Sequence, residues 1–322
     1  MNIKSVDFLL TFKCPAKCRH CAYRAGPAIG GHMTVRNATK WLTDLRDSQP
    51  IETLTVHGGE PFLYPKVLER VIRKAKDFGI SHRGVITNCF WAHDEDKAMK
   101  TLHAMRNSGL TGITVSVDAF HQEYVALECV RNALEAAISI GFDRVWADSY
   151  FIHSPEFENP FNLRTLRLLD ELTDLESVEF SNYPVDFEGR AADELVQYVS
   201  SRNSESPSRC RPPHWVGESY MDPVGIEIDP NGNVTFCPGI CIGNTSEQSL
   251  PNIMRDYDPN EHPIIRALVE DGPNGLYRMC KAKGLCDVVE YVDDCHLCYM
   301  TRRLLRGSYP RELSPESCYE VS

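Results

Sequence analysis

The sequence predicts an α/β fold built on a parallel sheet. Short apolar segments with strand character alternate with segments whose apolar residues recur at helical spacing, and this alternation continues to about residue 190. It is typical of parallel sheets, because each connecting helix returns the chain to the start of the next strand. No Gly-x-Gly-x-x-Gly motif follows the first strand, which weighs against a dinucleotide-binding fold. The sheet is therefore either open and doubly wound or curved into a partial barrel.

Six strands and five connecting helices are expected in this part of the chain. The first helix places Ala38, Trp41, Leu42 and Leu45 at helical spacing after a capping Thr34. The strands are expected at residues 4–10, 53–56, 83–87, 112–117, 144–152 and 178–183. The helices are expected at residues 34–46, 66–78, 95–108 and 122–140, and near 163–173.

Beyond about residue 190 the regular alternation stops, and the sequence predicts a second, smaller domain. Residues 200–213 are rich in Ser, Arg and Pro and indicate a linker. A hairpin is expected from strands at 225–228 and 233–237 around the turn sequence Asp-Pro-Asn-Gly, followed by loops and short helices. The predicted domains are residues 1–190 and 191–322.

Composition and charge exclude several classes of function. The 322 residues carry 34 basic and 45 acidic side chains, a net charge of −11, which argues against nucleic acid as a main partner. No run of about 18 apolar residues is present, so no membrane span is expected and a cytoplasmic location is predicted. Thirteen cysteines in a reducing compartment would not persist as disulfides. A cluster of them at fixed spacing therefore indicates metal binding or catalysis.

Cys14, Cys18 and Cys21 form a Cys-x3-Cys-x2-Cys loop directly after the first strand. Three thiolates this close can hold one small cluster with a metal position left open, whereas a structural zinc would be closed by a fourth ligand, for which His20 and His32 are the nearby candidates. The loop also lies at the carboxyl end of a strand, where the active sites of such sheets collect.

This cysteine spacing resembles the radical S-adenosylmethionine (SAM) superfamily. The resemblance implies a partial (β/α)6 TIM-like barrel and a [4Fe-4S] cluster on Cys14, Cys18 and Cys21, whose free iron binds SAM. It also implies that reduction of the cluster, by an electron donor such as a flavodoxin or ferredoxin, cleaves SAM to a 5′-deoxyadenosyl radical that takes a hydrogen atom from the substrate.

Further motifs extend the resemblance to the SAM site. Gly58-Gly59-Glu60 is similar to the family motif that contacts the amino group of SAM, although a Gly-Gly pair is also common in ordinary tight turns. Asn88, Ser116 and Asp118 end later strands where relatives bind the ribose, although strand-end Asn and Asp also cap helices. By the same resemblance, the side chain that pairs with the SAM carboxylate is Arg190.

The cysteines of the second domain resemble the twitch form of the SPASM auxiliary-cluster domain. The resemblance implies one auxiliary [4Fe-4S] cluster, with ligands Cys210, Cys237, Cys295 and Cys298. Two alternatives stay open at this point. Cys280 or Cys286 could replace one of the four ligands, or the group could be a structural zinc site with four thiolates.

Several stretches resemble the peptide-modifying branch of the superfamily, in particular the epipeptide epimerases. The resemblance implies a peptide substrate, for example a ribosomally made one, that undergoes epimerisation, cross-linking or dehydrogenation. Pro238 stands where those epimerases carry their hydrogen-donating cysteine, so Cys241 becomes the candidate donor. Asp118 and His121 are candidate acid and base. The alternatives are a dehydrogenase of a small-molecule substrate and a non-catalytic zinc-binding interaction protein.

Overall fold

The computed structural model describes residues 1–202, 210, 212–286 and 290–320, so most of the predicted linker lies outside the described residues. The chain divides into two compact units. The sheet unit comprises Asp7–Cys18 and Ala25–Val185, and the cysteine-rich unit comprises Met1–Val6, Arg19–Arg24 and Asp186–Ser322. The division into domains at residue 190 stays a prediction.

The sheet unit is built from strands that alternate with helices. The strands are β1 (Ser5–Leu9, of which the last three residues belong to this unit), β2 (Thr53–His57), β3 (His82–Thr87), β4 (Gly112–Ser116), β5 (Arg144–Phe151) and β6 (Glu179–Pro184). The helices are α1 (Val35–Ser48), α2 (Pro65–Asp77), α3 (Glu95–Ser108), α4 (Leu127–Ile140) and α5 (Pro160–Asp170). The order is β6-β5-β4-β3-β2-β1, with β2 to β6 parallel, and the sheet does not close. The predicted α/β fold, a partial (β/α)6 barrel, is confirmed.

Side chains along each strand alternate between two environments. In β2, Leu54 and Val56 are buried while the intervening residues are only half-buried, as expected where one face of a sheet is covered by helices. α2 buries Leu68, Val71, Ile72 and Ala75 at helical spacing, and α1 begins after Thr34, whose hydroxyl accepts a hydrogen bond from the backbone N–H of Asn37. The half-buried face of the strands is the one that remains available to a ligand.

One helix begins later than the sequence predicts. The expected span 122–140 is shortened to α4, because the residues after β4 fold into a turn in which Tyr124 and Val125 donate to the carbonyl of His121. Ala126, with ψ of 141°, is extended and precedes the helix. The turn places His121 in the loop at the carboxyl end of β4 instead of on a helix face.

The cysteine-rich unit contains the predicted hairpin. β7 (Gly225–Ile228) and β8 (Asn233–Cys237) are antiparallel, and the Asp229 carboxylate accepts hydrogen bonds from the backbone N–H groups of Asn231 and Asn233 in the turn between them. A third strand that the sequence did not predict, β9 (Ile240–Asn244), pairs with β8. The helices of this unit are α6 (Ala191–Glu194), α7 (Leu250–Asp256), α8 (Pro263–Ala282) and α9 (Asp294–Leu305).

α8 consists of two shorter helical segments, in agreement with the short helices expected here. The backbone leaves the helical region at Asp271 and Gly272, directly before Pro273, and a second segment begins there. Among the described residues, no helix is long and apolar enough to cross a membrane.

Candidate active site

The Gly58-Gly59 turn packs directly against the segment that leads into Cys14. The backbone N–H of Gly59 donates to the carbonyl of Thr11 at 2.6 Å, and that of Glu60 donates to Lys13 at 3.0 Å. A Cβ on Gly58, whose φ is +139°, would lie 2.5 Å from the Thr11 oxygen, and one on Gly59 would lie 2.2 Å from the Lys13 oxygen. Only glycine fits both positions, because the backbone of the turn lies in direct contact with the backbone of residues 11–13.

The Glu60 side chain is enclosed within the sheet unit. Its carboxylate accepts hydrogen bonds from the backbone N–H of Phe62, the hydroxyl of Thr87 and the backbone N–H of Asn88, at 2.9 to 3.0 Å. Burial raises the pKa of this fully buried group to about 7. The predicted contact of Glu60 with the ammonium of SAM stays a prediction. Because the carboxylate already has three donors, the backbone carbonyls of the turn are better suited to accept from an ammonium.

Asn88 connects this network to the cysteine loop. Its Nδ2 donates to the Cys14 sulfur at 3.5 Å, and its Oδ1 accepts from the backbone N–H of Phe90 at 3.1 Å. The sequence predicted Asn88 as a ribose ligand, and in the structure its amide is directed to a predicted cluster ligand. Hydrogen bonds to ligand sulfurs are one of the means by which proteins set the properties of iron-sulfur clusters.

Asp118 and His121 form a hydrogen-bonded pair after β4. The fully buried Asp118 carboxylate accepts from the backbone N–H groups of Phe120 and His121 at 2.9 Å and lies 2.9 Å from His121 Nδ1. The charge of a protonated His121 lowers the pKa of Glu60. A carboxylate that orients an imidazole is an arrangement suited to proton transfer. The structure therefore favours an acid-base role for this pair over the predicted ribose contact of Asp118.

The half-buried face of the sheet carries a further carboxylate that the sequence reading missed. In the strand register, Asp148 of β5 lies between Ser116 of β4 and Ser181 of β6, and the Tyr150 ring lies 5.9 Å from that of Tyr183 one step further along. Burial raises the pKa of Asp148 to about 6. Trp146, Asp148 and Tyr150 share one face of β5 and alternate with buried residues of the other face. This spacing is the signal that could have identified Asp148.

Replacement of Asp148 by Asn is expected to stabilise the protein at neutral pH. The folded-state pKa is about 6 against an ordinary value of 3.8. A raised carboxyl pKa favours the folded state at low pH, and this contribution is lost as the pH rises towards and through 6. At pH 7 the free energy of unfolding of D148N should therefore exceed that of the wild type by up to about 3 kcal/mol, which is seen as a higher urea midpoint. At pH 4 the two midpoints should be nearly equal. An equal difference at both pH values would contradict this assignment.

The cysteine-rich unit brings the four predicted auxiliary ligands into mutual electrostatic contact. Burial raises the pKa of Cys237 well above its usual value, and the neighbouring charges of Glu188, Cys298 and Cys210 act in the same direction. Burial likewise raises the pKa of Cys295, with Cys237 among the charges that add to the shift. Cys237 therefore interacts electrostatically with each of the other three thiols.

The spacing of these sulfurs bears on which metal they fit. Within the described part of the chain, no three of them lie within 4.8 Å of one another. A tetrahedral zinc with Zn–S bonds of about 2.3 Å would hold its sulfurs about 3.8 Å apart. In the described structure these four thiols do not form a closed zinc site of that spacing.

A buried cation accompanies the four thiols. Arg302 is 1% exposed and lies one helical turn after Cys298 on α9. Its Nη2 donates to Glu188 at 2.9 Å and its Nη1 donates to the Pro238 carbonyl at 2.7 Å. Its charge and a side-chain hydrogen bond lower the pKa of Cys298. The buried guanidinium would compensate part of the net negative charge of a thiolate-bound cluster.

Three further cysteines of this unit make other contacts. Burial and a hydrogen bond with Cys286 raise the pKa of Cys280 to about 12. The Cys241 sulfur donates to the Gly243 carbonyl at 3.2 Å within its own strand, and burial raises its pKa to about 12. These contacts favour the original four ligands over substitution by Cys280 or Cys286.

Arg190 and Cys21 both belong to the cysteine-rich unit. The backbone N–H of Arg190 donates to the Cys21 carbonyl at 3.1 Å, and Arg190 is 2% exposed. Gly189, with φ of +57°, has no room for a Cβ because the carbonyls of Cys21 and Ala22 lie within 2.5 Å of that position. The segment after β6 is therefore held against the end of the cysteine motif. The predicted contact of Arg190 with the SAM carboxylate stays a prediction.

Comparison with known proteins identifies the sheet unit. The sequence pattern of the radical SAM superfamily matches residues 8–155, which are 148 of the 322 residues. Residues 8–155 thus match a radical SAM domain. Radical SAM proteins use a [4Fe-4S] cluster and SAM, so the cofactors predicted from the Cys14, Cys18 and Cys21 motif are confirmed.

The chain is also similar to individual proteins. It is 27% identical over 135 residues to YydG of Bacillus subtilis (strain 168), which is named for a role in peptide biosynthesis, and the match covers 42% of each chain. The crystal structure of BtrN in complex with AdoMet and 2-DOIA matches with a TM-score of 0.49 and 12% identity, over 85% of this chain and 91% of BtrN. Streptococcus suis SuiB bound to S-adenosylmethionine matches with a TM-score of 0.43 and 14% identity, over 80% of this chain and 66% of SuiB.

Proposed function

We propose that this chain is a radical SAM enzyme that takes a hydrogen atom from a peptide substrate and carries one auxiliary [4Fe-4S] cluster. The observation that carries the radical SAM assignment is the glycine turn at residues 58–59, packed on the segment before Cys14, with Asn88 hydrogen-bonded to the Cys14 sulfur. The similarity to YydG supports a peptide substrate.

The residues of the chain have separate tasks in this proposal. Cys14, Cys18 and Cys21 hold the first cluster, and the carbonyls of the Gly58-Gly59 turn accept from the ammonium of SAM. When bound and reduced, this cofactor pair supplies a 5′-deoxyadenosyl radical. The Asn88 amide donates a hydrogen bond to the Cys14 sulfur. Ser116, which lies opposite Asp148 in the strand register, is the candidate ribose ligand. The Asp118–His121 pair holds or moves a proton at His121.

The outcome of the reaction depends on what happens to the substrate radical. Epimerisation needs a hydrogen donor, and the candidate Cys241 directs its thiol to the Gly243 carbonyl inside its own strand. This contact favours an overall loss of two hydrogens, by dehydrogenation or cross-linking, over epimerisation. The four thiols of the cysteine-rich unit would then hold the cluster that accepts the second electron, and an external flavodoxin or ferredoxin would supply the first.

Metal analysis and product analysis test the proposal together. After anaerobic reconstitution we expect about eight irons and eight sulfides per chain, which is two [4Fe-4S] clusters. Addition of SAM and dithionite should release 5′-deoxyadenosine. Bound zinc without sulfide would contradict the proposal and support a zinc-binding interaction protein instead.

Short peptides encoded beside this reading frame are the substrates to test. Incubation with the reconstituted enzyme should lower the peptide mass by two hydrogens. An unchanged mass with an altered stereocentre would instead show epimerisation and would overturn the oxidative outcome. Turnover of a small molecule but of none of these peptides would favour the small-molecule dehydrogenase.

A further inference from the structure

A buried ion pair lies beside two of the four auxiliary thiols, those of Cys237 and Cys298. Arg302 and Glu188 are 1% and 6% exposed, and their N–O distance is 2.9 Å. Isolated buried ion pairs seldom add stability, because desolvation costs about as much as the attraction returns. A pair retained at such depth beside metal-ligand residues therefore calls for a role other than stability.

Arg302 is held in place from several sides. Besides Glu188, its Nη1 donates to the Pro238 carbonyl at 2.7 Å and to the Tyr319 hydroxyl at 3.2 Å, while that hydroxyl donates to the Gly239 carbonyl at 2.6 Å. Gly239 has φ of +83°, and a Cβ there would lie 2.5 Å from the Tyr319 hydroxyl. The turn directly after Cys237 and the guanidinium are thus fixed relative to each other.

Glu188 lies on the other side of the same sulfur. Its Oε2, which accepts from Arg302, is also 3.8 Å from the Cys237 sulfur. One carboxylate oxygen is therefore shared between the cation and a predicted ligand. The cluster would therefore experience two opposing charges, the guanidinium beside Cys298 and the carboxylate beside Cys237.

We propose that Arg302 and Glu188 set the reduction potential of the auxiliary cluster, with Arg302 raising it and Glu188 lowering it. The inference rests on the proposed function, because it requires a cluster on Cys210, Cys237, Cys295 and Cys298. Reduction adds one negative charge to the cluster, and a fixed cation in a low-dielectric interior stabilises that charge while a fixed anion destabilises it. The pair thereby determines how readily the cluster accepts an electron from a substrate radical.

The test measures the auxiliary cluster alone in the full-length chain. In a background with Cys14→Ala, Cys18→Ala and Cys21→Ala, the reconstituted protein should hold about four irons, all in the auxiliary cluster. Its midpoint potential is then measured by redox titration followed by electron paramagnetic resonance. In this background we compare R302Q, R302K and E188Q.

The three variants are expected to shift the potential in different directions. R302Q should lower the potential, E188Q should raise it, and R302K should stay closer to the parent than R302Q because it retains the charge. A purely structural role would not give opposite shifts for the two members of one ion pair. If R302Q fails to hold iron, E188Q and R302K still decide the matter.

Each contrary result has a distinct meaning. An unchanged potential in R302Q, or a potential in E188Q at or below that of the parent, would overturn the inference while leaving the auxiliary cluster in place. A parent that binds no iron and sulfide would overturn the auxiliary cluster itself, and with it this inference, without affecting the radical SAM domain.

Discussion

Cys18→Ala is expected to abolish SAM cleavage. Cys18 is one of three predicted cluster ligands, and removal of a ligand should cost more than the roughly 10–100-fold that loss of an outer-shell partner costs. We therefore expect release of 5′-deoxyadenosine to fall at least about 100-fold and the iron content to fall by about four per chain. Chromatographic quantification of 5′-deoxyadenosine and colorimetric iron determination measure these two quantities.

Cys129→Ala is the matched control for this substitution. Cys129 is a buried cysteine of α4 in the same unit, outside the predicted ligand sets, so the chemical change is identical. The control should retain its iron and its cofactor cleavage. Full retention of turnover in Cys18→Ala would contradict the ligand assignment.

Gly59→Ala is expected to damage the SAM site through the backbone. The new methyl group would lie 2.2 Å from the Lys13 oxygen and 2.6 Å from the Lys13 carbonyl carbon, and neither atom can rotate away as a side chain could. We expect a loss of about 1–3 kcal/mol in the free energy of unfolding, because overpacking displaces the segment leading to Cys14. Iron uptake by the first cluster should fall as well. Urea unfolding and iron analysis measure the two effects.

Gly84→Ala provides the comparison. Gly84 lies in β3 of the same sheet, and a Cβ there would meet nothing closer than the Thr55 methyl at 4.0 Å. This variant should be as stable as the wild type or slightly more stable. Equal unfolding midpoints for the two alanine variants would show that the contact at Gly59 does not constrain the turn.

The strand-helix alternation was predictable because each element has a strong local pattern. The strand and helix bounds agree within a few residues except at α4, where the turn after His121 depends on hydrogen bonds that no periodicity reveals. β9 was missed because its sequence, Ile240–Asn244, is short and ends with Gly243 and Asn244, which favour turns. The alternation alone fits two topologies, an open doubly wound sheet and a partial barrel. The choice of the partial barrel came from the family resemblance of the cysteine motif, and the sheet of the structure, which does not close, agrees with it.

The candidate site was predictable where chemistry is concentrated in adjacent residues. The cysteine loop and the Gly-Gly-Glu turn are local in sequence, so their spacing alone identified them. Glu188 and Arg302 are 114 residues apart, and only folding brings them together. Asp148 was missed for a similar reason, because its position between two serines depends on the pairing of three strands.

The buried Glu60 carboxylate has a mechanical consequence for the cofactor site. It receives hydrogen bonds from Phe62, from Thr87 at the end of β3 and from Asn88, the residue that follows β3. A ligand that displaces the glycine turn must therefore also move the amide that contacts the Cys14 sulfur. The Glu60 carboxylate would thus couple the position of the glycine turn to that of the amide beside the Cys14 sulfur.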